Sequence, residues 1–123
     1  MIQVTIVPGE DKKIIHFKYE GIITHDDYQK VIIPTLEKEI RKGGVLCSLC
    51  DLREMTTIEG KALWDDYKFG RHHLKDFDRI ATVGDQWWIS ILMNISSHFF
   101  KIKLKHFTSD QLEEAWKWIN QKE

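Results

Sequence analysis

Apolar residues along this chain change their spacing in a way that reads as strands alternating with helices. Ile2, Val4 and Ile6 alternate with Gln3 and Thr5, the pattern of a strand with one wetted face. Pro8-Gly9-Glu10-Asp11 is a turn. Ile15, Phe17 and Tyr19 alternate with His16 and Lys18, so residues 13–19 form the second arm of a hairpin. Thr24 reads as an N-cap, with Asp26 and Asp27 in the first turn where the helix dipole favours them. Tyr28, Ile32, Leu36 and Ile40 then recur at every fourth position, and Pro34 inside that pattern predicts a kink or a break. Gly43-Gly44 ends the helix.

Val45 to Cys50 and Ile80 to Val83 are near-continuous apolar runs, which suit central parallel strands covered on both faces. Between them, Leu63, Tyr67, Gly70, Leu74 and Phe77 mark one face of a helix over about 60–76. A further helix covers residues 86–100. Lys101-Ile102-Lys103-Leu104-Lys105 alternates strictly and reads as an edge strand whose lysines discourage edge-to-edge pairing. Thr108 with Gln111 makes a capping box, and Leu112, Ala115, Trp116 and Ile119 give the last helix. The order is ββαβαβαβα. It predicts an α/β fold with one mixed, mostly parallel five-stranded sheet and four helices, in a single domain over residues 1–123.

The 86–100 helix carries an apolar surplus. Trp88, Ile89, Ile91, Leu92, Met93, Ile95, Phe99 and Phe100 cover roughly 200° of its circumference, where a surface helix needs a stripe of only ~100°. The excess requires a cover: more of the protein, a subunit, a lipid or an apolar ligand. Trp64 lies at the margin of its helix's apolar face, Trp87 in the polar sector of the next, and Trp118 off its helix's main stripe. Indoles with one dry and one wet side are common at binding and membrane-interface surfaces, though they also cover core edges and subunit contacts. Trp64, Tyr67, Trp87, Trp88, Ile91, Leu92, Ile95 and Phe99 are therefore the candidate ligand-binding residues.

Charge narrows the partners. Lys and Arg total 18 against 19 Asp and Glu, for a net charge of −1, so nothing points to nucleic acid. The N-terminus lacks the features of a signal peptide, and the 86–100 run is interrupted by Ser90, Asn94 and Ser97 and too short to span a bilayer. A cytoplasmic protein is expected, which the two cysteines also fit.

Reactive motifs dissolve on inspection. Cys47 and Cys50 have C-x-x-C spacing, but an offset of three in a strand points them to opposite faces; they read as buried structural thiols. His72 groups on its helix with Lys61, Asp65, Lys68 and Asp76 in a solvated charged face. Asp66, Phe69 and His73 form a separate flank, and an Asp66–His73 pair would still lack a nucleophile beside it. Asp51 reads as ending its strand and Asp85 as capping the next helix, although carboxylates at that rim of an open sheet can hold a cation. No catalytic residue, metal or cofactor is expected.

Gly21-Ile22-Ile23-Thr24 with Asp27-Tyr28, Trp64-Asp65-Asp66-Tyr67-Lys68-Phe69-Gly70, Arg79 to Asp85 with Trp88, and Phe107 with Glu114 to Trp118 resemble, as an ordered set, the SpoIIAA-like branch of the STAS fold. The resemblance covers nearly the whole chain. It implies a five-stranded sheet with four helices and no known catalytic activity. In the anti-sigma-antagonist branch, a serine at the start of the helix after the third strand is phosphorylated by a partner kinase. The corresponding stretch here, Asp51 to Lys61, has no serine, only Thr56 and Thr57, so that switch does not carry over.

Two readings share one content, an apolar partner. One is a non-enzymatic module that binds a hydrophobic small molecule or a membrane surface through the helices near 60–76 and 86–100. The other is a protein–protein regulatory or homodimerisation module that uses the same surface. An enzyme built on Asp66 and His73 is the third.

Overall fold

A computed structural model describes residues 1–9, 11–91, 94 and 103–121. Five strands form one sheet: β1 (Ile2–Pro8), β2 (Lys13–Ile23), β3 (Leu46–Ile58), β4 (Arg79–Val83) and β5 (Lys103–Phe107), lying in that order. β1 runs antiparallel to β2, with Val4 opposite Phe17 and Ile6 opposite Ile15; every other pairing is parallel. The hairpin and the central parallel strands are thus as the alternation predicts; the edge strand runs on past the expected end at Lys105 to Phe107, and Lys101 and Ile102 lie outside the described residues.

The helices follow in the connections. Thr24 caps α1 (His25–Asp27) in a reciprocal box: its Oγ1 accepts from the Asp27 N–H at 3.1 Å, and Asp27 Oδ2 accepts from the Thr24 N–H at 2.9 Å. A π-helical stretch, Tyr28–Ile32, leads directly into α2 (Ile33–Lys42). Pro34 explains it. Proline has no N–H to give the carbonyl four residues back, and its ring crowds that carbonyl; one widened turn relieves both problems without ending the helix. α3 (Gly60–His73) closes in a 3₁₀ turn, Leu74–Asp76. Helical backbone follows at 87–91 (α4). Residues 92, 93 and 95–102, which include most of the expected 86–100 helix, lie outside the described residues. Thr108 and Gln111 form the expected capping box before α5 (Leu112–Asn120).

The sheet divides the core. α1, α2, α3 and α4 pack on one face around Phe17, Tyr19, Tyr28, Leu52, Met55 and Ile89. α5 alone covers Cys47, Leu49, Ala81, Val83 and Phe107 on the other. Cys47 and Cys50 lie on these opposite faces as free thiols, as the strand geometry requires.

Three readings of the strands and their ends need correction. β2 and β3 run on to Ile23 and Ile58, beyond residue 19 and Cys50. The extension pairs with itself, Gly21 beside Met55 and Ile23 beside Ile58, with register shifts near Gly21 at φ +66°. Exposed Arg53, Glu54, Thr56 and Thr57 hide the strand in its sequence. Asp51 therefore lies inside β3, buried, and its carboxylate takes a bidentate fork from Arg53 (2.9 and 2.8 Å). Asp85 caps no turn of α4; it accepts from the N–H and hydroxyl of Ser109 at 2.9 and 2.5 Å and ties the end of β4 to the segment before α5.

Buried Glu39 of α2 accepts from Lys13 at 2.7 Å and lies 3.3 Å from Lys42. The Lys13 contact is the main force holding the Glu39 carboxyl below the usual range, against burial and with help from Lys42. A carboxyl depressed in the folded state stabilises above its unfolded value, ~4.3, and that stability is lost as pH falls through the folded one. Urea midpoints of wild type are expected to drop from about pH 5 downward, and Glu39→Gln to flatten that slope. Parallel curves for the two proteins would show that Glu39 carries no proton linkage.

Candidate functional site

α3 is built with its apolar side outward. Of the residues that mark one face of this helix in the sequence, Leu63 and Tyr67 are 40% and 50% exposed, while Ala62 and Asp65 are buried. Ala62 is small enough to bring the helix close to the sheet. Asp65 is drawn inward by partners on the preceding helical stretch: His25 Nδ1 lies 2.5 Å from its Oδ2, and Gln29 donates to Oδ1 at 3.2 Å. Glu59 steadies the same corner by accepting from the His25 N–H at 2.9 Å. Asp65 is thus not part of a solvated face with His72, Lys61 and Lys68. The helical spacing of Ala62 and Asp65 allowed this placement, but only the partner on another element identified it.

The turned helix exposes aromatic surface. Trp64 is 56% exposed and stacks on Tyr67 with ring centroids 5.5 Å apart, and Lys68 lies over the Trp64 ring at 5.8 Å. On α4, Trp87 is 77% and Ile91 50% exposed, while Ile89 is buried and Trp88 packs half-buried against the core. Four of the eight residues expected to bind a ligand, Trp64, Tyr67, Trp87 and Ile91, are therefore open to solvent. Leu92, Ile95 and Phe99 lie outside the described residues.

Beneath α3 runs a buried polar file. The Tyr28 hydroxyl donates to Asp66 Oδ1 at 3.1 Å. Tyr19 lies against both Tyr28 and the Cys50 thiol, and Ser48 Oγ is 3.7 Å from Cys50 Sγ. Burial pushes both phenols well above their ordinary range and the Cys50 thiol up to about 12. All three stay protonated at neutral pH. Close-packed neighbours withhold water from the Asp66 carboxyl and raise it, although the residue is exposed at the flank of α3, and the Tyr28 hydroxyl pulls it the other way.

Asp66 and His73 do not pair. His73 stacks on Phe69 at 4.5 Å and its Nδ1 meets Asp76 at 3.1 Å. Among the described residues no three His, Cys, Asp or Glu side chains come together to hold a metal. An open depression of about 740 Å³ beside His25 is lined by Thr24, Asp26, Glu59, Gly60 and Lys61.

The sheet order and the helices on its two faces define a small α/β module of the STAS type. A family model for SpoIIAA-like proteins matches residues 14–120. The chain belongs to that SpoIIAA-like family. It is similar to an uncharacterised protein with a SpoIIAA-like fold from Shewanella loihica PV-4, at 28% identity over 96% of this chain and 93% of that one, with a TM-score of 0.79. It also shares its fold with the anti-sigma factor antagonist SpoIIAA in its unphosphorylated form, at 11% identity over 99% of this chain and 100% of that one, with a TM-score of 0.65. No curated protein sequence matches it significantly.

Proposed function

We propose that this protein is a non-enzymatic binding module that takes a hydrophobic small molecule on α3 and α4. One observation carries the reading: α3 turns Leu63, Trp64 and Tyr67 to solvent and its one buried carboxylate inward. A soluble domain gains nothing in stability from that orientation of the aromatics, and exposed apolar surface on this scale marks a place for a partner. Trp87 and Ile91 add to the surface from α4. Apolar walls with a few convergent polar groups are the usual composition of a ligand site, and the Asp66–Tyr28 pair supplies such groups at the flank of α3.

Charge favours a small molecule over an anionic membrane. Asp65 and Asp66 interrupt the lysines of α3, and the chain as a whole is near neutral. Among the described residues no helix is long and apolar enough to cross a membrane. The likeness to an anti-sigma factor antagonist supports a second reading, a protein partner docked on the same aromatic surface.

Extraction of the purified protein into organic solvent, followed by mass spectrometry, is expected to release a hydrophobic compound. Vesicle flotation with anionic and zwitterionic lipids is expected to leave the protein unbound. A ligand-free spectrum, with no uptake of added alkyl compounds, removes the small-molecule reading. Flotation with vesicles shifts the site to a membrane surface.

A further inference from the structure

We propose that the open edge of β5, with the groove between β5 and α5, takes up an extended acidic segment of a partner protein as a sixth strand. The inference is independent of the α3 and α4 reading, since α5 covers the other face of the sheet.

Main-chain direction exposes the edge. β5 ends the sheet order, and among the described residues no strand lies beyond it. The Phe107 carbonyl accepts from the Gly84 N–H at 3.0 Å, so it points toward β4. Along a strand the main-chain groups point alternately to its two sides. Those of Lys103, Lys105 and Phe107 therefore face β4, and those of Leu104 and His106 face outward. An edge of that kind is a template for another chain.

Side chains choose the partner. Alternation places Lys105 with Phe107 on the α5 side of the sheet, where the Lys105 ammonium lies 5.1 Å from the Phe107 ring and 5.9 Å from that of Trp118. Beside them opens a groove of about 400 Å³, lined on β5 by Lys105, His106 and Phe107 and on α5 by Glu114, Lys117 and Trp118. Alternate side chains of an added strand would enter it. Lys105 and Lys117 are exposed, and neither has an ion-pair partner among the described residues. Glu114 is the single carboxylate of the lining. Carboxylates at alternate positions of an incoming strand would meet the two lysines, while its main chain bonds Leu104 and His106. This is strand addition, with main-chain bonds supplying affinity and the groove supplying selection.

Charge also excludes a second copy. One β5 laid against another would set lysines against lysines, and like charges directly opposite destabilise a strand pair. The lysines that bar self-pairing thus admit an acidic strand. The other edge, β1, carries neutral Gln3 and Thr5 and makes no such selection.

The test uses a fluorescein-labelled peptide of seven residues that alternates glutamate with valine, titrated at neutral pH and low salt and followed by anisotropy. It is expected to bind about tenfold or more tightly than its lysine–valine counterpart. A copy with every backbone amide N-methylated keeps the charge, loses the main-chain donors, and is expected to bind about tenfold or more weakly. By NMR, the acidic peptide is expected to slow hydrogen exchange of the Leu104 and His106 amides about tenfold or more, with no change at Lys105 or Phe107. In Lys105→Gln combined with Lys117→Gln, the preference for the acidic peptide is expected to fall below about threefold. Circular dichroism checks that this variant folds, and the wild-type measurements stand as tests even if it does not. Failure of the acidic peptide to bind, equal binding of the basic or methylated peptide, or slowed exchange confined to other residues overturns the proposal. An unchanged preference in the folded variant does so too. Slowed exchange of Leu104 and His106 in the concentrated protein alone would give the edge to a second copy and also overturn it. None of these results bears on a ligand at α3 and α4.

Discussion

Phe17→Ala is expected to lower the stability of the protein by about 3–5 kcal/mol, the range for emptying a buried phenylalanine site. Phe17 is 1% exposed, sits on β2 between Val4 of β1 and Cys50 of β3, and meets the Tyr19 ring edge-on at 6.5 Å. Its side chain belongs to the core under α1, α2 and α3. Strands on both sides hold the backbone, so the surroundings cannot collapse into the space that alanine leaves. For a chain of this length the loss should lower the melting temperature by roughly 10–20 °C. Urea unfolding followed by circular dichroism measures it. A cost below about 1.5 kcal/mol would mean that this face of the sheet is not packed as described.

Trp64→Ser combined with Trp87→Ser is expected to do the opposite: little to stability and much to binding. Both indoles are more than half exposed, and neither belongs to a buried cluster. Surface substitutions of this kind usually change stability by no more than about 0.5 kcal/mol. An indole that covers a ligand with its open half removes on the order of 100 Å² of apolar surface from water, about 2–3 kcal/mol. Losing two should weaken the binding of an alkyl ligand by well over tenfold. The measurement is isothermal titration of an alkyl compound, decan-1-ol, into wild type and into the double variant. Undiminished affinity in a normally folded protein would move the site away from α3 and α4. Loss of a protein partner in place of an alkyl ligand would favour the second reading of the same surface.

The pattern of residues marked where the elements lie because each depends on local spacing. Ile15, Phe17 and Tyr19 alternate, so β2 was visible; Thr24 with Asp27 and Thr108 with Gln111 carry their caps within four residues. The opposite faces of Cys47 and Cys50 follow from the strand period alone. β3 beyond Cys50 was not visible, because Arg53, Glu54, Thr56 and Thr57 are strand residues only by virtue of their pairing with Glu20 to Ile23. The π-helical turn is a half-legible case. Pro34 announced a disturbance, and the packing of Tyr28, Ile32 and Leu36 decided that the helix would widen and continue.

The candidate site divides in the same way. Sequence marked one apolar face on α3 and predicted an apolar surplus on the helix over 86–100, most of which lies outside the described residues. Trp64, Tyr67, Trp87 and Ile91 could be named from that. Tertiary structure decided which way α3 faces. Rotation of a helix about its axis is set by contacts across the fold, and here Asp65 meets His25 and Gln29 while Ala62 lies against the sheet. Those partners stand 40 and 36 positions away in the chain, beyond the reach of any local period. A buried carboxylate is tolerated only where hydrogen-bond donors await it, so the inward side of α3 was fixed by residues that no reading of α3 by itself contains.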